Sequence, residues 1–555
     1  MLTANMRAKT QRQRAYGSMS SHITNPILPG FHPDPSIICV DNDYYLASST
    51  FEWFPGVRIH HSTDLINWQP IGHVLTRQSQ LDMIGAPDSC GVWAPCLSYD
   101  KGVFYLVYSN VSSFDGPWKD TPNFIVTSEA IHGPWSEPVF LMSRGFDVSL
   151  FHDHDGRKWL TNMIVDHRNA KFFGGIELQK WDPVSQKLIG DIFPIFAGTE
   201  LCCTEGPHIY QRNGWYYLIT AEGGTEYGHA VTVARSTSIT GPYEVHPENP
   251  IFTARNTPDE LFQRTGHADF VFTPAGDCYA VYLASRPLKP NRRCILGRET
   301  VIEQVEWRAD DWPYAASGSK VTRVQVPAPK SSNEHQSIKV LSTLDHFNDA
   351  ELGVHWQTLR APVDESWLTL KERSSHLRLR GRESLCSTKK QSFLARRLQS
   401  TTAEAACQIE FNPDNFQQMA GLVCYYNTSH FHYLYLSIDE NNHEKSRLNI
   451  ISNNNGDANE PLIDYISFDK STPLLLKVHV NNNNIQFYCS HDIATRDWKT
   501  VGPVLDGSIL SDDYVREGGS RYRPAFTGAF IGVCCQDLSG LQKHADFDWF
   551  DYNDL

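Results

Sequence analysis

Asp43-Tyr44-Tyr45-Leu46 recurs in altered form four more times within the first 280 residues, as Val103-Phe104-Tyr105-Leu106, Arg157-Lys158-Trp159-Leu160, Trp215-Tyr216-Tyr217-Leu218 and Asp277-Cys278-Tyr279-Ala280. The third positions, Tyr45, Tyr105, Trp159, Tyr217 and Tyr279, are separated by 60, 54, 58 and 62 residues. Each copy is short and β-prone, and each follows a turn rich in Gly, Asp or Asn. Repeated small sheets have this pattern and helices do not. The step suits a propeller blade with generous loops, so five copies predict five blades.

Counting back 11 or 12 residues from those aromatics reaches Asp34, Trp93, Asp147, Glu205 and His267. A radial repeat gathers equivalent positions of its blades around one axis, so residues far apart in sequence would share a central site. Small residues and prolines flank most of them, as in His32-Pro33-Asp34-Pro35, Trp93-Ala94-Pro95 and Glu205-Gly206-Pro207. Such flanks suit sharp entries into innermost strands near a crowded axis. Asp and Glu are common residues, so spacing alone leaves open both a shared carboxylate site and coincidence.

The 555 residues are long for one core and comfortable for two domains. A net charge of -14 argues against nucleic-acid or anionic-membrane partners. No stretch approaches the ~18 apolar residues of a membrane span. Residues 1–22 carry Arg7, Lys9, Arg12 and Arg14 without a following apolar core. They read as a flexible extension and not a secretory signal. The 13 cysteines are scattered, and neither CxxC nor HExxH occurs, so no disulfide framework and no structural zinc or zincin metal site is indicated. A cytoplasmic protein is the expectation.

Between the five copies lie candidate outer strands ending in aromatic turns, at His60 to Trp68, Ile131 to Trp135 and Val233 to Tyr243. Val321, Val324 and Val326 suggest a last strand and a linker. Beyond them, short alternating runs such as Phe431-His432-Tyr433-Leu434-Tyr435-Leu436 are separated by Asn-rich turns. The expected organisation is all-β: a five-bladed β-propeller over 23–320, a linker over 321–336 and a β-sandwich over 337–555.

FHPDPSI (31–37), STFEWFPGVRIHHSTDL (49–65), GVWAPCLSY (91–99), GFDVSLFHD (145–153), TEGPHIY (204–210), TAEGGTEYGH (220–229) and LGRET (296–300) occur in that order, followed by QMAGLVCYYNT (418–428) and SDDYV (511–515). From Asn25-Pro26 almost to its C-terminus the chain closely resembles the β-xylosidases of glycoside hydrolase family 43. The resemblance implies a five-bladed propeller with a C-terminal β-sandwich, in agreement with the count of blades. It also implies an exo-acting, inverting hydrolase that releases D-xylose from the non-reducing end of β-1,4-xylooligosaccharides. α-L-Arabinofuranosidase, alone or combined with β-xylosidase activity, is the alternative. A carbohydrate-binding protein that has lost catalysis is a third reading.

By the same resemblance, Asp34 is the general base, Glu205 the general acid, and Asp147 the carboxylate that tunes and orients the acid. Inversion needs an acid at the leaving oxygen and a base on a water across the ring. Glu200 and Glu222 are rivals to Glu205, but the TEGPH context and the blade register favour Glu205, leaving Glu222 as a hydrogen-bonding support. Arg298 is expected at the sugar hydroxyls, with a surface position as its alternative. Phe51 and Trp93 are expected as apolar walls, or else as core. His267 is expected to hydrogen-bond sugar or water. Phe526, in the sandwich loop 521–530, is expected to close the pocket, or else to fill the interdomain core. No cofactor is required, and a structural divalent cation such as calcium near the axis stays open. Short xylooligosaccharides are the expected partners, and a homo-oligomer, dimer or tetramer, the expected assembly.

Three departures from the family pattern stand out. Val165 takes the place of a frequent tryptophan, which would weaken grip on the aglycone or change its preference. Cys96 replaces an aspartate and would put a thiol close to the site. The segment 286–294 is shorter than in close relatives and would reshape the pocket rim.

Overall fold

The computed structural model describes residues 22–116, 118–168, 171–329, 342–462, 464–470, 472–517 and 525–555. Residues 1–21 of the expected extension, 330–336 of the expected linker and Arg521 to Pro524 of the sandwich loop lie outside them.

Five antiparallel sheets form a five-bladed propeller, each pairing its strands in sequence order. Every tetrapeptide of the repeat opens the second strand of its blade, Asp43–Ser48, Val103–Val111, Lys158–Val165, Trp215–Glu222 and Cys278–Ser285, with Arg157 and Asp277 one residue ahead of theirs. Packed against other elements on both faces of its sheet, this strand needs apolar residues on both. Tyr217 and Tyr279 are accordingly fully buried.

The first strands carry the axis. They are Ser36–Val40, Gly91–Asp100, Gly145–His152, Glu205–Arg212 and Gln263–Phe272. In the last four, the register with the second strand slips at Trp93 to Cys96, Phe146 to Ser149, Glu205 to His208 and Gly266 to Asp269. Each slip coincides with a left-handed residue: Ala94 (φ 24°), Asp147 (53°), Gly206 (57°) and His267 (58°). Asp34 (φ 51°) occupies the matching place just before the first blade. Bulges of this kind bend a strand and re-aim its side chains, here toward a common centre. At Gly206 glycine is required, because a Cβ would lie 2.9 Å from the His267 ring.

The stretches expected to be outer strands are third strands at His60 and Val233, within Gly56–Ser62 and Ala230–Ser236. Their closing aromatics lock the turns that follow. Trp68 Nε1 donates to Leu65 O at 3.1 Å, Trp135 Nε1 to Ile131 O at 3.2 Å and Tyr243 Oη to Ile239 O at 3.0 Å. The propeller is tied off by His22–Thr24 pairing with Gln325–Pro327, with Asn25 bonded to Ile302 O and Arg323 O at 2.8 Å.

The C-terminal part is built from an eight-stranded and a nine-stranded sheet, with a short helix at Asp512–Glu517. Alternation along Leu474–Asn481 and Gln418–Asn427 sends Leu476, Val478 and Leu422 into one apolar core between the sheets. The two parts share a sheet: Trp53–Phe54, from the first-blade region, pairs with Gln357–Leu359 at the edge of the nine-stranded sheet. Trp53 also stacks on Phe530, with ring centroids 3.6 Å apart and planes at 11°. Phe526, just before the strand that carries Phe530, is thereby brought over the propeller.

Candidate active site

All eight residues singled out from sequence, Asp34, Phe51, Trp93, Asp147, Glu205, His267, Arg298 and Phe526, line one cavity of about 500 Å3 at the propeller axis. Trp93, Asp147, Glu205 and His267 come from the bulged starts of four first strands, and Asp34 from the residues just before the first strand of blade one. Phe51 follows the second strand of blade one, Arg298 precedes the third strand of blade five, and Phe526 comes from the sandwich.

The acids sit in unlike surroundings. Asp34 accepts from Ser49 Oγ at 2.7 Å and from Arg298 Nη1 at 3.1 Å, and His267 Nδ1 lies 3.9 Å from it. Glu205 opens on the pocket. Burial foremost, and then the charge of Asp34, push its carboxyl up to about 8 against the opposing pull of Arg298. Asp147 is lifted well above the usual carboxylate range by burial, by Glu205 and by Asp34, although the Gly206 N–H donates to it at 3.0 Å. Two acids are thus driven toward their neutral forms while Arg298 lies against the third. Burial holds the His267 imidazole down to about 4, so at neutral pH it is an uncharged donor and acceptor.

Arg298 is a fixed element. It bridges Asp34, Thr225 Oγ1 at 3.1 Å and Phe526 O at 3.0 Å, with its guanidinium over the rings of Phe51 and Phe526 at 5.3 and 5.4 Å. Phe526 closes the aromatic wall, 5.8 Å from Phe51 and 5.4 Å from Trp93 between centroids. It is 7 % exposed, and besides lining the cavity it packs in the core beneath. Its N–H donates to Ser89 Oγ at 3.0 Å.

Glu222 is fully buried away from the cavity. It accepts from Thr199 N and Thr204 Oγ1, both at 2.8 Å, and so braces the loop leading to Glu205. Glu200 is exposed. Cys96 does not approach the site. It lines a different cavity, with Ile37, Leu97, His208 and Asp269, because the bulge after Trp93 turns its side chain away from the pocket. At Val165 the missing indole has neighbours that supply aromatic surface: Phe172 and Phe173 line the pocket, and Phe173 pairs with Val165 in the sheet. The segment 286–294 is pinned at both ends, by Arg286 on Glu299 at 2.6 Å and by the Cys294 N–H on Asp513 at 2.9 Å.

The sequence reading missed Phe114, Lys119, Phe146, Phe172, Phe173, Cys203, Thr225 and Glu226 among the lining residues. Thr225 and Glu226 lie inside the quoted TAEGGTEYGH stretch and Phe146 precedes Asp147, so proximity could have found them. Phe114 and Phe172 sit on loops, and Phe173 at the very start of a strand, whose approach to the axis no periodicity signals. Among the described residues, the one group of three His, Cys, Asp or Glu side chains with ligand atoms within 4.8 Å of each other is Cys294, Asp512 and Asp513, where Arg264 bonds both aspartates.

Acids of unequal environment facing an aromatic-walled pocket define a site for acid–base chemistry on a compact polar ligand with apolar faces. Residues 23–313 match the family model for glycosyl hydrolases family 43, and residues 344–553 match that for the β-xylosidase C-terminal concanavalin A-like domain. The chain belongs to glycoside hydrolase family 43. It is 47% identical over 541 residues to a β-xylosidase of Bacillus subtilis (strain 168), covering 96% of this chain and 99% of the relative. It is 45% identical over 538 residues to xylosidase/arabinosidase 43B of Humicola insolens, covering 96% and 97%. The crystal structure of a xylan β-1,4-xylosidase from Bacillus halodurans C-125 superposes with a TM-score of 0.92 at 47% identity, covering 96% of this chain and all of that one.

Proposed function

We propose that this family 43 hydrolase is an exo-acting, inverting β-xylosidase that releases D-xylose from the non-reducing end of short β-1,4-xylooligosaccharides. The observation that carries the proposal is the convergence of Asp34, Asp147 and Glu205 on one cavity walled by Phe51, Trp93 and Phe526. Glu205, kept protonated by burial and by Asp34, gives its proton to the glycosidic oxygen. Asp34, oriented by Ser49 and Arg298, takes a proton from the attacking water on the opposite face. Asp147 receives the Gly206 N–H and so holds the backbone next to Glu205. The aromatic faces cover sugar C–H groups, Arg298 and His267 face its hydroxyls, and closure by Phe526 admits one terminal residue.

Proton NMR of the first product tests the chemistry: α-xylose appearing first from a β-linked substrate is expected, and β-xylose appearing first overturns inversion. α-L-Arabinofuranosidase activity is the second reading, favoured by the double name of the Humicola relative. Specificity constants on aryl β-xyloside and aryl α-L-arabinofuranoside separate the two, and a much larger value for the arabinoside overturns the substrate assignment. Binding of xylooligosaccharides with no product over long incubation would mark a protein without catalysis. Light scattering reads the dimer or tetramer that the family resemblance implies.

A further inference from the structure

The sequence GVRIHHS has no part in the pocket, yet it places an arginine and a histidine in an unusual setting. Arg58 and His60 project from the same side of strand Gly56–Ser62, and His73 stands opposite Arg58 on the neighbouring strand. His32 packs edge-on against His60 with ring centroids 4.8 Å apart. From the sandwich come Arg397, Gln357 and His355. Arg58 is 3 % exposed and Arg397 2 %.

These cations lack a counter-charge. Arg58 donates to Val354 O, and Arg397 donates to Phe31 O at 2.6 Å and to Gln357 Oε1. Among the described residues neither makes an ion pair. Arg396, next in sequence, feels Asp345, Asp551 and Asp554 of the sandwich. The groups that act electrostatically on Arg58, Arg397, His32, His60 and His73 are one another, Arg396 and His355, and none of them is an acid. Burial foremost depresses the Arg58 guanidinium to about 9 and drives all three histidines to their neutral forms. Five buried nitrogens at this seam have no hydrogen-bond partner: Arg58 Nε, Arg397 Nη2, His32 Nδ1, His60 Nδ1 and His73 Nε2.

Buried polar nitrogens are ordinarily satisfied, and buried guanidinium groups are ordinarily paired. A neutral imidazole can present an N–H at an unpartnered nitrogen, and a guanidinium offers a fork that matches an oxyanion. Room lies alongside. A cavity of about 510 Å3 between the first blade and the sandwich is lined by His73, Val354 and Gln357, each of which also belongs to or bonds this cluster. Of the carboxylates at that cavity, Glu365 is taken by Lys371 at 2.7 Å and Glu351 is exposed.

The geometry points to a binding site for a small inorganic oxyanion at the propeller–sandwich seam, held by Arg58 and His60 from the propeller and by Arg397 from the sandwich. Such an anion supplies the missing negative charge and clamps the two domains. It also reaches the active site through backbone, because the His32 N–H donates to Arg298 O at 2.9 Å and Asp34 follows two residues later. The site is separate from the catalytic pocket and does not depend on which sugar that pocket takes.

The test uses the full-length protein freed of phosphate, sulfate and chloride, in a zwitterionic buffer with ionic strength held by sodium gluconate. Inorganic phosphate is then titrated while the melting temperature and the heat of binding are followed. A saturable rise of several degrees with measurable binding is expected. The rise should vanish in Arg58→Gln and in Arg397→Gln, and persist in Arg298→Gln, whose guanidinium faces the other pocket. No rise beyond the gluconate control, a rise that survives Arg58→Gln, or a rise given by chloride and not by phosphate or sulfate would each overturn the proposal. Should those variants fail to fold, crystals of the unaltered protein soaked in selenate decide: anomalous density between Arg58 and Arg397 supports the site, and its absence there overturns it.

Discussion

Raising the pH through 8 should switch this hydrolase off by way of Glu205, and the size of the effect follows from the site. A glutamic acid at its ordinary value of 4.5 would be protonated in about 0.3% of molecules at pH 7, whereas one held up to about 8 is protonated in about 90%. Burial and the charge of Asp34 thus multiply the fraction of active enzyme roughly 300-fold at neutral pH. Between pH 7 and pH 9 the protonated fraction falls from about 91% to about 9%, so kcat/KM should drop about tenfold along a limb centred near 8. That limb belongs to the coupled Glu205 and Asp147 carboxyls, since each is raised in the field of its neighbours. The assay is kcat/KM against pH on two substrates, xylobiose and an aryl β-xyloside with an acidic phenol. In Glu205→Ala, turnover of xylobiose should fall by about 10²–10⁴, while the activated xyloside, whose leaving group needs no proton, should keep most of its rate and lose the limb. A limb near 8 that persists in Glu205→Ala on the activated substrate, or a wild-type limb near 5, refutes the assignment of the acid.

Two further outcomes follow from the seam between the domains. Phe526→Ala deletes a ring that touches Phe51, Trp93 and Phe114, so it should lower stability by about 3–5 kcal/mol in denaturant titration and raise KM more than it lowers kcat. An unchanged KM would mean that this ring is core alone. Arg264→Met strands Asp512 and Asp513, buried partners of a guanidinium that is itself 2 % exposed, and should cost roughly 3–5 kcal/mol. Adding Asp513→Asn should recover part of that loss by removing one uncompensated charge, and no recovery would show that the pair is not what holds the helix Asp512–Glu517 to the propeller.

The count of blades and the identity of the axial residues were legible in the chain because a radial fold repeats a local rule. The second strand of each blade is covered on both faces and must be apolar, which leaves the aromatic tetrapeptide visible in any copy. The entry to the first strand needs a bulge, which leaves Gly, Pro and polar residues at a constant distance upstream. What sequence could not show were directions and distances between elements that no period links. Cys96 stands three residues after Trp93, yet the bulge between them sends its thiol to another cavity. Phe114 and Phe172 enter the pocket from loops with no repeat of their own. The unequal states of Glu205 and Asp147 arise from burial and from Asp34, more than a hundred residues away in the chain, and no local composition encodes that. The sequence by itself determined the blades, the order of the two β domains and the residues offered to the axis. Only the tertiary structure decided which carboxyls are driven neutral, what walls the pocket, and that Arg58 and Arg397 meet without a counter-charge, because each of these depends on how far water is excluded when distant segments pack.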